Sequence, residues 1–436
     1  MNCMTRNEFV DALQKGQGRA VLQIKEHGVG HYKEELLNAC LHNLVYDTQC
    51  EPARDDWLVS MIDLTGHEGW YRDHVIAALN RATERRDISQ LMHLAVHFAR
   101  RGSAEARQTI YARFDQSARF GQEFESTVGG EQIVELDGVT GIVHVAEITG
   151  GWLLEHPEGW EHDYLIREAC KRLGAESVMT ALETKARESR NVRAYLSTVE
   201  KSKRQFEQGR LAKRSQPSVT KILADIDAPS TQFQFPGHFT TFGKKATPSD
   251  LQVIFDRLLV EPARDQLLRC LWVFRRRALP SLHPRLFDLA QSDDEKLQQA
   301  AIVALSHSKN ARIHELALGL FDSNPALITR EGIHLFVQNH EPGDHQVIEK
   351  ALFVPSEPEE RHSVGYDILN LAKSKPAREL GKCLEWVYEY TPCSNCRGQA
   401  LNWLIAWGQA SEDLLAESLW DCCEKTRAAA GKELNR

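Results

Sequence analysis

The chain has 436 residues, of which 42% are hydrophobic and 26% charged, with a formal net charge of −8. This balance excludes long disorder, and no run approaches the roughly 20 consecutive apolar residues that cross a bilayer. An acidic surplus also argues against non-specific binding to nucleic acid or anionic membranes.

The opening residues, MNCMTRNEFVDAL, lack a basic stretch followed by an apolar one, so no secretory signal is expected and the chain is expected to be cytoplasmic. Its ten cysteines are then expected as free thiols. Cys40 and Cys270 fall on apolar helix faces, where a thiol acts as a small hydrophobe.

Helical periodicity dominates from the start. Thr5 and Glu8 have capping-box spacing, and Phe9, Leu13, Val21, Leu22 and Ile24 begin the apolar stripes. The pattern repeats over 31–49. Pro52 opens a further helix carrying Trp57, Leu58, Met61 and Ile62, which Gly66 ends. Segments of about 10 to 18 residues follow at 70–82, 87–101, 103–115, 138–155 and 161–173, joined by short turns. His93 and His97 form an i, i+4 pair that could ligate a metal, although boundary positions of a helix pair are the simpler reading of the run 91–98. Gly129-Gly130 and Gly150-Gly151 read as isolated breaks. The sequence Glu-Pro-Ala-Arg-Asp occurs at 51–55 and again at 261–265.

The stretch 201–248 reads as a basic and aromatic connector between an N-terminal helical half, 1–200, and a C-terminal half, 249–436. Its basic residues are Lys201, Lys203, Arg204, Arg210, Lys213 and Arg214, with Lys244 and Lys245 at its end. From Pro229 to Gly243 aromatic and polar residues alternate among prolines and glycines. This predicts an ordered loop, with Phe233, Phe235, Phe239 and Phe242 packed on the helices.

The clearest repeat lies in 283–322. Asp294 opens a run with Leu297, Ala300, Ala301, Ile302, Ala304 and Leu305, a polar turn follows at 308–310, and Ile313, Leu316, Ala317, Leu318 and Leu320 begin a second helix. This resembles a HEAT repeat of the armadillo-like α-solenoids, in which small residues let paired helices approach closely. The resemblance is specific over about 40 residues, and weaker over 248–424. It implies an all-α chain wound as a right-handed α-α superhelix of HEAT-like hairpins. Gln298 stands where the family usually carries an arginine that ladders to the neighbouring acidic turn, so that ladder is expected to be missing.

Near the C-terminus, Thr391 and Pro392 read as the N-cap and first position of a helix that carries Cys393 and Cys396 in its first turn. The helix dipole there favours thiolates. A zinc reading needs two further ligands, which Cys422 and Cys423 could supply if the last two helices form an antiparallel hairpin, with Asp421 or a histidine able to replace one of them. Trp386, Trp403, Trp407 and Trp420 read as the aromatic cap of the last repeats.

No P-loop, GxGxxG fingerprint, GxSxG elbow or HExxH motif is present. A scaffold that binds a protein or peptide on the concave face of the superhelix needs none of these. Two alternatives stand beside it. One is a nucleic-acid-associated protein using basic clusters 201–214, 244–245 and 275–277, with Lys244, Lys245, Arg275, Arg276 and Arg277 as the anion-binding candidates. The other is an enzyme with a site near Cys393 and Cys396.

Overall fold

The computed structural model describes residues 3–120, 124–212, 217–229, 235–323, 328 and 332–435. All regular structure among them is helical. None of these helices is long and apolar enough to cross a membrane.

The chain forms two compact units, Met1–Arg214 with Ala416–Arg427, and Ser215–Leu415 with Ala428–Arg436. The first holds α1 (Arg6–Lys15), α2 (Arg19–His27), α3 (Lys33–Leu41), α4 (Asp55–Thr65), α5 (Glu68–Leu79), α6 (Arg85–Arg100), α7 (Ala104–Phe120), α8 (Thr127–Glu155), α9 (Tyr164–Leu173), α10 (Ala175–Glu188) and α11 (Arg190–Ala212). The second holds α12 (Val219–Asp227), α13 (Gly237–Lys245), α14 (Pro248–Val260), α15 (Arg264–Val273), α16 (Pro284–Leu289), α17 (Glu295–Ser306), α18 (Ala311–Ser323), α19 (His334–Asn339), α20 (Asp344–Ala351), α21 (Pro358–Ser374), α22 (Gly381–Tyr390) and α23 (Ser394–Ala406). α24 (Glu412–Ser418) and α25 (Glu424–Leu434) follow.

The capping box at α1 forms as its spacing predicts: Thr5 Oγ1 accepts from the Glu8 amide, and the Glu8 carboxylate accepts from the Thr5 amide at 2.7 Å. Cys40 and Cys270 are fully buried, and burial pushes the Cys270 thiol up to about 12. Other boundaries differ from expectation. α8 breaks at Gly129 (φ +92°) and at Gly138 (φ +54°), as expected from the Gly-Gly pair and the segment start at 138, but runs on through Gly150 and Gly151, which were expected to break it. At Gly150 an added Cβ would fall 1.9 Å from the Asn191 carbonyl oxygen, so this glycine lets α8 lie against the start of α11.

Trp420 does not cap the last repeats. It belongs to the first unit, where its carbonyl accepts from Trp57 Nε1 at 2.9 Å and Lys25 sits over its ring. Arg19 pairs with Glu417 in the same unit.

The region 229–243 is not a continuous loop. Gly237–Lys245 is helical, with Phe239 and Phe242 buried in its packing face, while Phe235 is exposed. Helical geometry puts 239 and 242 on one face three residues apart, a periodicity masked by the flanking alternation. Phe233, Lys213, Arg214 and the Arg210 side chain lie outside the described residues. Lys201, Lys203 and Arg204 are on α11, and Arg204 pairs with Glu200.

In the second unit, α13, α15, α17, α19, α21 and α23 pack in succession, each on the next, with α14, α16 and α18 against the helix that follows each in the chain. Hydrogen bonds join the C-terminal ends of this row. His307 Nε2 donates to the Arg275 carbonyl at 2.8 Å, the Asn310 amide to Asn339 Oδ1, and Ser374 Oγ to the Val337 carbonyl. Ion pairs tie the helices at their other ends. Arg264, at the start of α15, makes a two-pronged pair with Asp294, the N-cap of α17, at 2.5 and 3.1 Å. The acidic turn of the repeat therefore has its arginine, supplied by an upstream helix and not by position 298. The hydrogen bond from Arg264 holds the Asp294 carboxyl below its ordinary pKa, against a smaller opposing effect of burial.

Histidine serves the same purpose. His97 on α6 bonds Asp55 on α4 at 2.9 Å, with His93 4.0 Å from the same oxygen. His144–Asp115, His314–Asp344 and His334–Asp367 repeat this tie between other packed elements. Its hydrogen bond to Asp55 raises the His97 pKa above the ordinary 6.5, against the opposing effect of burial. Burial pushes Asp55 up, but the hydrogen bond from His97 and the charges of both histidines bring it below 3.8. The stability from His97 is thus full below pH 6.5 and lost as pH rises through its folded pKa. The stability from Asp55 is present above pH 3.8 and lost as pH falls through its lower folded value. Replacing His97→Gln should cost about 1 kcal/mol near pH 5 and less near pH 9, read by urea unfolding at both values. A cost independent of pH would show that packing, and not charge, holds the pair.

Candidate functional site

Two constellations stand out, both in the second unit. The first is a basic edge. α13 and α15 meet at their C-terminal ends because Gly243 has no side chain: a Cβ there would fall 1.8 Å from the Val273 carbonyl oxygen. That approach sets Lys244 and Lys245, the last residues of α13, beside the turn 275–277 that follows α15. Lys244, Lys245, Arg276 and Arg277 are exposed. None of these four makes an ion pair among the described residues. Arg275 is half-buried and its carbonyl is held by His307, which fixes the turn. Burial keeps the His307 ring below its ordinary pKa, against the pull of that carbonyl, which suits the neutral ring to its role as a donor.

Cations at helix C-termini complement the helix dipole, so some basic residues are expected here. Lys309, in the turn after α17, extends the row. Farther on, Glu341 and Glu379 share the edge with Lys375, the C-cap of α21, so the charge there is mixed. Beside the arginines lies a concavity of 540 Å³ with Pro248, Leu251 and Pro280 as apolar lining and Arg276, Arg277 and His307 as polar lining. The edge therefore combines fixed positive charge with an open, partly apolar notch. The sequence singled out all five basic residues; the helix that joins them and the notch beside them were not legible.

Arginine is also used inward. Arg269 on α15 is fully buried and donates to the carbonyls of Ile226 at 2.8 Å, Ala228 at 2.6 Å and Pro229 at 3.1 Å, closing the C-terminus of α12. Arg54 does the same for the end of α1, through Leu13 and Gln14. Arg285 donates to the Leu259 and Glu261 carbonyls at the end of α14. These arginines are structural caps and add nothing to an anion-binding surface.

No family model, curated protein or solved structure matches the chain. The functional reading accordingly rests on the geometry of the two constellations.

The second constellation is the thiol pair. Thr391 does not start α23. Its amide and hydroxyl both donate to the Val387 carbonyl, at 3.2 and 2.8 Å, so it ends α22. Cys393 becomes the N-cap of α23 and Cys396 its third residue, with the Arg397 amide donating to the Cys393 carbonyl at 3.1 Å. Both thiols are buried, at 4% exposure each. A residue that the sequence reading did not connect joins them: His362, on α21. The two sulfurs and a His362 ring nitrogen lie within 4.8 Å of one another. Gly365, one turn along α21, makes this possible, since a Cβ there would fall 2.2 Å from the Thr391 methyl. Cys422 and Cys423 are buried in the first unit, with the Cys422 amide bonded to the Gly16 carbonyl at 3.0 Å.

Proposed function

We propose that this protein is a HEAT-like helical-repeat scaffold that docks an acidic segment of a protein partner on the edge formed by Lys244, Lys245, Arg276 and Arg277. The observation that carries the reading is a partly apolar notch lined by Arg276 and Arg277, cations that make no ion pair among the described residues. Acidic side chains on the segment would meet the cations, and apolar side chains beside them would enter the notch. Such charge complementarity contributes mainly orientation and association rate, with the apolar contact adding residence time. The successive packing of α13 through α23 supports the solenoid reading, because each repeat leaves a face that only its neighbour covers. The contact surface is then the row of helix ends, not the concave face that repeat architecture alone suggests.

A nucleic-acid ligand would use the same cations, but the net charge of −8 works against it. An apolar notch also has no counterpart in a phosphate backbone. The test is fluorescence anisotropy with a labelled peptide of mixed Glu, Asp and Leu, run beside a labelled single-stranded oligonucleotide. Peptide binding should fall at least about tenfold when Lys244, Lys245, Arg276 and Arg277 are all changed to Glu. The helical circular dichroism of the variant should be unchanged. Equal binding by this variant, or binding of the oligonucleotide alone with a steep salt dependence, would overturn the proposal.

A further inference from the structure

We infer that His362, Cys393 and Cys396 form a binding site for a thiophilic divalent cation, with zinc as the expected occupant. Three donors suited to such an ion converge from two helices, and two of them are buried sulfurs. Donors about 2.3 Å (sulfur) and 2.1 Å (imidazole nitrogen) from a tetrahedral ion sit roughly 3.4–3.8 Å from each other. The observed spread, within 4.8 Å, needs only a small contraction of side chains to meet that geometry.

The backbone arrangement favours the same chemistry. Cys393 and Cys396 occupy the start of α23, where the helix dipole favours the thiolate that binds metal. Their spacing is that of a two-thiolate half-site, since N-cap and third residue lie on the same side of a helix start. The third donor comes from α21, held in place by the contact of Gly365 with Thr391. Imidazole with two thiolates suits zinc better than hard oxygen-seeking cations such as calcium or magnesium. Three protein donors leave the fourth tetrahedral position to water or another ligand.

Three other buried thiols contrast with this pair. Cys40, Cys270 and Cys383 are fully buried, burial pushes each thiol well above its usual range, and none belongs to a cluster of ligating groups among the described residues. Among the described residues, only at 393 and 396 does the fold bring a histidine to two sulfurs.

The test uses the full chain purified under reducing conditions. Elemental analysis should find about one equivalent of zinc per chain. After removal of the metal, cobalt(II) added to the protein should give thiolate-to-cobalt charge-transfer absorption and the visible bands of a tetrahedral ion. His362→Ala, Cys393→Ser and Cys396→Ser should each weaken cobalt binding by more than the roughly 10–100-fold that losing an outer-shell partner costs. His362→Cys, which keeps a ligand at that position, should retain cobalt with stronger charge-transfer absorption. This last variant separates loss of a donor from loss of the fold. The inference is overturned if the metal-free protein, with both thiols shown to be reduced, takes up no cobalt. It is equally overturned if all three single-donor variants hold cobalt as tightly as the parent chain. A Cys393–Cys396 disulfide as the resting form in protein from reducing cells would overturn it too, and would make the pair a redox element.

Discussion

Replacing Arg269→Met should destabilise the second unit by about 3–4 kcal/mol, the largest loss we expect from any single surface-neutral change. The methionine side chain fills similar volume, so packing is largely kept. What disappears is a guanidinium that satisfies the carbonyls of Ile226, Ala228 and Pro229. The last carbonyls of a helix have no partner within the helix, and Arg269 is only 2% exposed, so water cannot easily replace it. Orphaning the buried Ile226 carbonyl costs about 1–3 kcal/mol, the part-buried Ala228 and Pro229 carbonyls add less, and relief of the desolvation of a buried charge offsets part of the sum. Arg269→Lys should lose less, since an ammonium reaches one or two of the carbonyls but cannot fork across them. Urea unfolding followed by circular dichroism gives the magnitude. Amide hydrogen exchange should localise the effect to α12. A midpoint unchanged in the methionine variant would mean that the α12 terminus is satisfied without the arginine.

This cap shows where sequence reading ran out. A run such as 264–273 announces a helix through Leu267, Leu268, Leu271 and Val273, and periodicity places its buried face correctly. It gives no sign that Arg269 turns inward, because the partners are backbone carbonyls some 40 residues upstream. The thiol pair behaves likewise. Cys393 and Cys396 are conspicuous as CxxC, but their third neighbour, His362, sits in a different helix and shares no local spacing with them. Thr391 misled for a local reason: Thr-Pro is a good helix start, yet its hydroxyl is better used here closing α22. Conversely, features written into short stretches were legible. The capping box of Thr5 and Glu8, the acidic N-cap at Asp294 and the small-residue face of α17 all rest on contacts within one turn. The repeated Glu-Pro-Ala-Arg-Asp also has physical content. Glu51 and Glu261 are both buried and each accepts a backbone amide, from Asp47 and Ala263 respectively, whereas their arginines diverge, Arg54 inward and Arg264 to Asp294.

Gly243→Ala should destabilise the second unit by about 3 kcal/mol and also weaken acidic-peptide binding by the folded protein. The added methyl would fall 1.8 Å from the Val273 carbonyl oxygen and 2.9 Å from its carbon, both backbone atoms that cannot swing aside. Contacts under 3.0 Å are essentially absent around real Cβ atoms, so α13 and α15 must part by about an ångström, an overpacking cost near the upper end of the usual range. Gly237→Ala provides the control. It lies at the start of the same helix, where an added Cβ meets nothing within 4 Å, and alanine is the better helix former by up to about 1 kcal/mol. That variant should be neutral or slightly stabilised and should bind the peptide as the parent does. The two substitutions are chemically identical, so a difference between them isolates the helix contact. If Gly243→Ala loses stability but keeps full peptide affinity, the spacing of Lys244 and Lys245 from Arg276 and Arg277 does not matter to recognition. The notch beside Pro248 and Leu251 would then carry the interaction without the α13 lysines.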